Sequence, residues 1–112
     1  MKQFFKKLFS LFLLIIFAVL IWYFFHGWIE RQVMKVKGIY YIHKGDQAYS
    51  QDNMAKTLEY YNKGLDYFPG HYEAWFNLGN IYTVYEDYYS AVQAYQHAIE
   101  YNPKFVMAKM NL

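Results

Sequence analysis

The hydrophobic pattern changes character near residue 30. From Leu8 to Ile29 the chain carries no formal charge, counting His26 as neutral. Beyond that, apolar and polar residues alternate at helical spacing. The clearest stretch is Tyr72 to Pro103, where Trp75, Leu78 and Tyr82 form one run and Tyr88, Ala91, Tyr95 and Ala98 a second. Small residues (Gly79, Ala91, Ala98) stand among the large ones, and Glu86-Asp87 separates the runs. This pattern predicts two amphipathic helices joined by a short turn. The small residues let the helix backbones approach, the large ones fill the space beside them, and Pro103 stops the second helix.

The order and spacing of Trp75, Leu78-Gly79, Tyr82, Ala91, Tyr95, Ala98 and Pro103 resemble the tetratricopeptide repeat (TPR), a helix–turn–helix unit of about 34 residues. The resemblance implies an all-α fold whose units stack as a right-handed solenoid. Residues 72–105 are then one repeat, and residues 38–71 read as a divergent repeat in the same frame. Tyr41, Gly45, Tyr61, Gly64 and Pro69 stand one repeat length before Trp75, Gly79, Tyr95, Ala98 and Pro103. Lys44, Ala48 and Thr57 depart from Leu78, Tyr82 and Ala91. A looser match is expected where a first repeat has one face without a neighbour. Helices are predicted near 38–51 and 54–67, with Asp52-Asn53 at the turn and Pro69-Gly70 ending the unit. Residues 106–112 are either a closing helix or the start of a third repeat. Ala108 follows Ala74 by one repeat length, and Asn111-Leu112 repeats Asn77-Leu78. Val106, Met107, Met110 and Leu112 give this segment little polarity, which favours a fragment of a longer repeat protein and suggests self-association.

The apolar run fits a membrane span. At about 1.5 Å per residue, residues 8–29 make a helix of roughly 33 Å, enough for a hydrocarbon layer of about 30 Å. Trp22, Tyr23 and Trp28 cluster toward its end, like an interfacial aromatic belt. A cleaved signal peptide has a shorter apolar region closed by small residues; here the run ends Phe24-Phe25-His26-Gly27-Trp28. An uncleaved signal anchor at 8–29 is therefore expected, after a basic tail at 1–7. Residues 30–37 hold no Pro and no Ser/Gly tract, so they read as a helical linker. Lys2, Lys6, Lys7 and the terminal amine precede the span; Arg31, Lys35, Lys37 and Lys44 follow it. The short tail, with Lys6-Lys7 at the membrane edge, points to the N-terminus inside and the repeats on the exported side. The usage of Lys, Asn, Tyr and Ile hints at a bacterium with an AT-rich genome, where that side is the periplasm.

Charge and chemistry narrow the function. The formal charge of +2 is carried by the tail; from Glu30 onward eight Lys/Arg face nine Asp/Glu, a net of −1. That balance leaves no basic footprint for nucleic acid. With no Cys there is no disulfide framework, thiolate metal site or Cys nucleophile. His97 with Glu100, and His43 with Asp46, share helix faces, but two ligands do not complete a metal site. Ser10, Ser50 and Ser90 lack a nucleophile-elbow context, and no Gly-rich phosphate loop is present. The expectation is a protein that is not an enzyme and holds no cofactor.

What remains is a surface. In the TPR family the first helix of each unit lines a groove that holds a peptide or a partner helix. By register that groove holds Ile39, Ile42, Asp46 and Tyr49 from the first unit, and Glu73, Phe76, Asn77, Asn80 and Thr83 from the second. Ile42, Phe76 and Tyr49, taken as exposed, suit an apolar peptide face, and Asn77 and Asn80 suit its backbone. The carboxylate clamp of chaperone-binding relatives would fall on Ile42, Asp46, Asn77, Met107 and Asn111; only Asn77 agrees, and Asp46 would repel a carboxylate. The reading is a membrane-anchored scaffold for assembly of a membrane or cell-envelope complex, its partners a protein or peptide and the lipid bilayer. The alternative is a small membrane subunit acting mainly through its transmembrane helix, against which Leu8–Phe25 offers only Ser10 and Ala18 as polar or small residues.

Overall fold

The computed structural model describes residues 1–110, apart from the side chains of Ala108 and Met110. The correspondences expected at Ala108 and Asn111-Leu112, and the apolar side chains of Met110 and Leu112, lie outside the described residues. Within them the chain is all helical, without strands: α1 Lys2–Ser50, α2 Met54–Tyr67, α3 Tyr72–Val84, α4 Tyr88–Tyr101 and α5 Pro103–Met110. These helices divide into two compact units, Met1–Val33 and Met34–Leu112.

The first unit is the leading part of α1. Every residue from Leu8 to His26 is exposed, and apolar side chains occupy all sides of the helix. Its length and composition are sufficient to cross a membrane. Residues 30–37 stay helical, within α1.

The second unit holds the remainder of α1 with α2 to α5. Its centre is a cluster of Ile42, Tyr61, Leu65, Ala74, Leu78, Ile81 and Ala94, with Trp75 and Tyr82 packed against it. Leu78 is 1% exposed, and burying such a side chain contributes about 1.5–3 kcal/mol. Glycines set the helix crossings. A Cβ on Gly38 would stand 2.9 Å from the carbonyl oxygen of Gly64, and one on Gly64 would stand 2.9 Å from that of Gly38. Here α1 and α2 touch backbone to backbone. Gly45 lies under the ring of Tyr61 and Gly79 under that of Tyr95, so the same device recurs in the α1–α2 and α3–α4 hairpins.

The turns repeat as well. Asp52 and Glu86 adopt left-handed backbone, with φ of 58° and 60°. In the first turn the N–H of Asn53 donates to Ala48 O and that of Asp52 to Tyr49 O. In the second, Asp87 donates to Tyr82 O and Glu86 to Thr83 O. This nested pair closes the orphan carbonyls of a helix end, a place usually taken by glycine. The next helix starts at once, because Asn53 Oδ1 accepts from Lys56 N and Asp87 Oδ1 from Ser90 N.

The positions at which α1 and α2 depart from α3 and α4 have physical reasons. Thr57, in the place of Ala91, is fully buried, and its hydroxyl donates to Asn53 O at 2.9 Å. Lys44, in the place of Leu78, is half-buried, with its ammonium over the rings of Tyr40 and Tyr60 at 5.1 and 5.6 Å. Leu78 packs into the core, whereas Lys44 lies against the two tyrosine rings. At the end of α4, Pro103 both terminates that helix and opens α5. Asn102 Oδ1 accepts from Phe105 N, which caps α5, and proline suits the first helical position because its missing N–H would go unbonded there. Phe68, at the equivalent place, offers no such acceptor, and α3 waits until Tyr72, where the His71 ring caps it.

Candidate functional site

The nine groove residues expected from register divide into two groups. Asp46, Tyr49, Asn77 and Asn80 line one cavity of about 450 Å³ in the second unit. Ile39, Ile42, Glu73, Phe76 and Thr83 lie outside its lining. Ile42 corrects the expectation of an exposed apolar face: it is 5% exposed and belongs to the core. Gly64 offers no side chain, so Ile42 fills the space above it; a Cβ on Gly64 would meet Ile42 Cγ1 at 2.7 Å. Phe76 is half-buried rather than exposed, its ring 5.5 Å from that of Tyr95 and 5.7 Å from that of Phe105. Thr83 spends its hydroxyl on Gly79 O at 2.8 Å. Ile39, Tyr49 and Glu73 are exposed.

Side-chain bonds hold two of the lining residues, Asp46 and Asn80. The Tyr61 hydroxyl donates to Asp46 Oδ1 at 2.5 Å, and the Tyr95 hydroxyl donates to Asn80 Oδ1 at 2.6 Å. Asp46 and Asn80 are one repeat length apart, as are the two tyrosines, so one hydrogen bond is built twice. Each ring passes over a glycine to reach a polar residue on the helix before its own, Asp46 on α1 and Asn80 on α3. Tyr61 is almost wholly buried. That burial, followed by the Asp46 carboxylate it donates to, pushes its phenol well above the ordinary tyrosine value. Asp46 Oδ2 also faces His43 Nδ1 across a helical turn, at 3.7 Å.

Register along the first helices misses several residues of this cavity. Tyr61 and Met54 come from α2, Asp52 from the turn, and Val84 and Tyr85 from the end of α3. A signal for Tyr61 is present, since the Gly45–Tyr61 spacing equals Gly79–Tyr95. Asp52 has none, because a turn residue carries no periodicity.

Elsewhere the polar groups pair locally. His97 Nδ1 lies 3.4 Å from Glu100, and its ring sits 4.4 Å from that of Trp75. The Trp75 indole N–H donates to Pro69 O at 2.7 Å, tying α3 to the loop before it. On the outer side of the first repeat, Tyr41 stacks on Tyr67 at 5.7 Å beneath the ammonium of Lys63. Hydrogen bonding to Tyr40 and Tyr41 raises Lys44 and Lys63, respectively, above the ordinary lysine value. Among the described residues, no three His, Cys, Asp or Glu side chains gather as a metal site would require.

Comparison with known proteins bears on α3 and α4. Residues 72–105 match the family model of the tetratricopeptide repeat. A 39-residue segment is 49% identical to the UDP-N-acetylglucosamine--peptide N-acetylglucosaminyltransferase of Giardia intestinalis, covering 35% of this chain and 3% of that protein. The chain thus spans a very small part of the relative it matches, and the likeness lies at the level of the repeat.

Proposed function

We propose, from the tetratricopeptide repeat at residues 72–105, that this chain is a membrane-anchored scaffold that binds a protein segment. The repeats stack as a short right-handed solenoid, and the residues 8–29 helix holds them at the bilayer. The scaffold serves assembly of a membrane or cell-envelope complex in a bacterium, with the N-terminus cytoplasmic and the repeats on the periplasmic side. It performs no reaction of its own. The observation that carries this reading is the cavity shared by Asp46, Tyr49, Asn77 and Asn80, four polar or aromatic residues from α1 and α3. Tetratricopeptide repeats generally bind protein or peptide partners. Amide groups beside aromatic faces supply both backbone hydrogen bonds and contact area.

Two measurements test it. Alkaline carbonate extraction keeps the protein in the membrane pellet with its original N-terminus; release into the supernatant refutes the anchor. A photo-crosslinking residue placed at Asn80 or Tyr49 gives discrete protein adducts that the same residue at Gln96, exposed on α4, does not. Equal labelling from both faces refutes the groove.

A further inference from the structure

The cavity carries a charge that its polar lining does not require. Asp46 and Asp52 both line it, and no Lys or Arg is among its lining residues. It also sits where two helices end: Tyr49 lies in the last turn of α1 with Asp52 in the turn just after it, and Val84 closes α3 with Tyr85 as its cap. A helix C-terminus bears the negative pole of the backbone dipole, which a basic residue in the last turn ordinarily offsets. Neither α1 nor α3 has one. Two carboxylates and two negative helix ends therefore converge, with no Lys or Arg among the lining residues, on a cavity whose remaining walls are the amides of Asn77 and Asn80, tyrosine rings and apolar side chains. Aromatic faces beside carboxylates receive an organic cation, its charge on the carboxylates and its hydrocarbon against the rings.

Resting on the peptide-binding reading above, we infer that the segment bound in this cavity presents a lysine or arginine side chain to Asp46 and Asp52. Asp46 is already oriented to receive it. Its Oδ1 is bonded to Tyr61, which fixes the carboxylate, while His43 flanks Oδ2 from an exposed position. Asp52 is exposed in the turn that follows α1. The occupant is larger than a metal ion, because a space of about 450 Å³ with Met54 and Ile81 in its wall suits a side chain with a hydrocarbon stem.

The test uses the full chain in detergent micelles and a randomised twelve-residue peptide library as probe, followed by binding of the selected peptides. Selected peptides are expected to share a Lys or Arg at one position. Replacing it by norleucine should weaken binding about three- to ten-fold, an effect of the size a partly exposed charge pair gives, and one that raised salt reduces. Asp46→Asn and Asp52→Asn should each weaken the basic peptide several-fold more than they weaken the norleucine peptide. Both variants are gentle, since asparagine keeps an acceptor for Tyr61 and tolerates the left-handed backbone of residue 52. Peptides selected without a basic position, or a norleucine peptide that binds equally well, overturn the inference and leave groove binding standing. Failure of the parent protein to select any peptide overturns groove binding itself, and the inference with it.

Discussion

A Cβ at Gly79 would lie 2.5 Å from Tyr95 Cε1, and a Cβ at Gly45 would lie 2.5 Å from Tyr61 Cδ1. Neither ring can retreat without losing its hydroxyl bond to Asn80 or Asp46. Gly79→Ala and Gly45→Ala are each expected to cost about 1–3 kcal/mol, the usual result of overpacking, and by similar amounts because the contact is the same. Thermal melts of the full chain followed by helix signal would show this; a variant melting with the parent would mean that the ring is not seated there. The opposite sign is expected at Glu86. Its left-handed backbone strains an L side chain that bonds to nothing in the turn, so Glu86→Gly should raise stability by about 0.5–1 kcal/mol in the same melts. An unchanged or lowered melting point counts against the turn geometry.

Between elements, the Tyr61–Asp46 bond couples α2 to α1, and alkaline titration reads it. Above about pH 10 the phenols of an unfolded chain lose their protons, while folded Tyr61, held higher by burial, keeps its own. The unfolded state then binds fewer protons than the folded one, so this contribution is complete below that pH and fades as pH rises. Tyr61→Phe should cost about 1 kcal/mol near neutrality, and the gap between parent and variant should narrow from about pH 9 to about pH 11. A constant gap would place the Tyr61 phenol in water. Much of this architecture is legible in the sequence. Leu78, Ala91 and Ala98 announce buried stripes, because a helix's own period marks the side it buries. Gly79 and Tyr95 announce their contact by recurring as Gly45 and Tyr61. The burial of Ile42 is not legible, because its neighbour decides it: Gly64, on another helix, leaves a gap that the isoleucine fills. Nor is much of the cavity lining, because Asp52, Val84 and Tyr85 lie at helix ends and a turn, where period gives no direction. The start of α5 at Pro103 depends on a single cap, Asn102, where the preceding repeat has Phe68.

At the scale of the second unit, one core serves both helical hairpins, α1–α2 and α3–α4. Ile42, Tyr61 and Leu65 of the first meet Ala74, Leu78, Ile81 and Ala94 of the second in a continuous cluster. Leu78→Ala should therefore cost about 2–5 kcal/mol. The loss should appear in hydrogen exchange of α2 amides as well as those of α3 and α4, since contacts in a stacked array pass between neighbouring repeats. Faster exchange confined to α3 and α4 would mean two independent cores. The shared core has a mechanical consequence too. Pulled from its two ends in an optical trap, the pair should give way in a single rip that releases both repeats. Two half-sized steps would require a seam between the repeats, and that seam is where Leu78 sits.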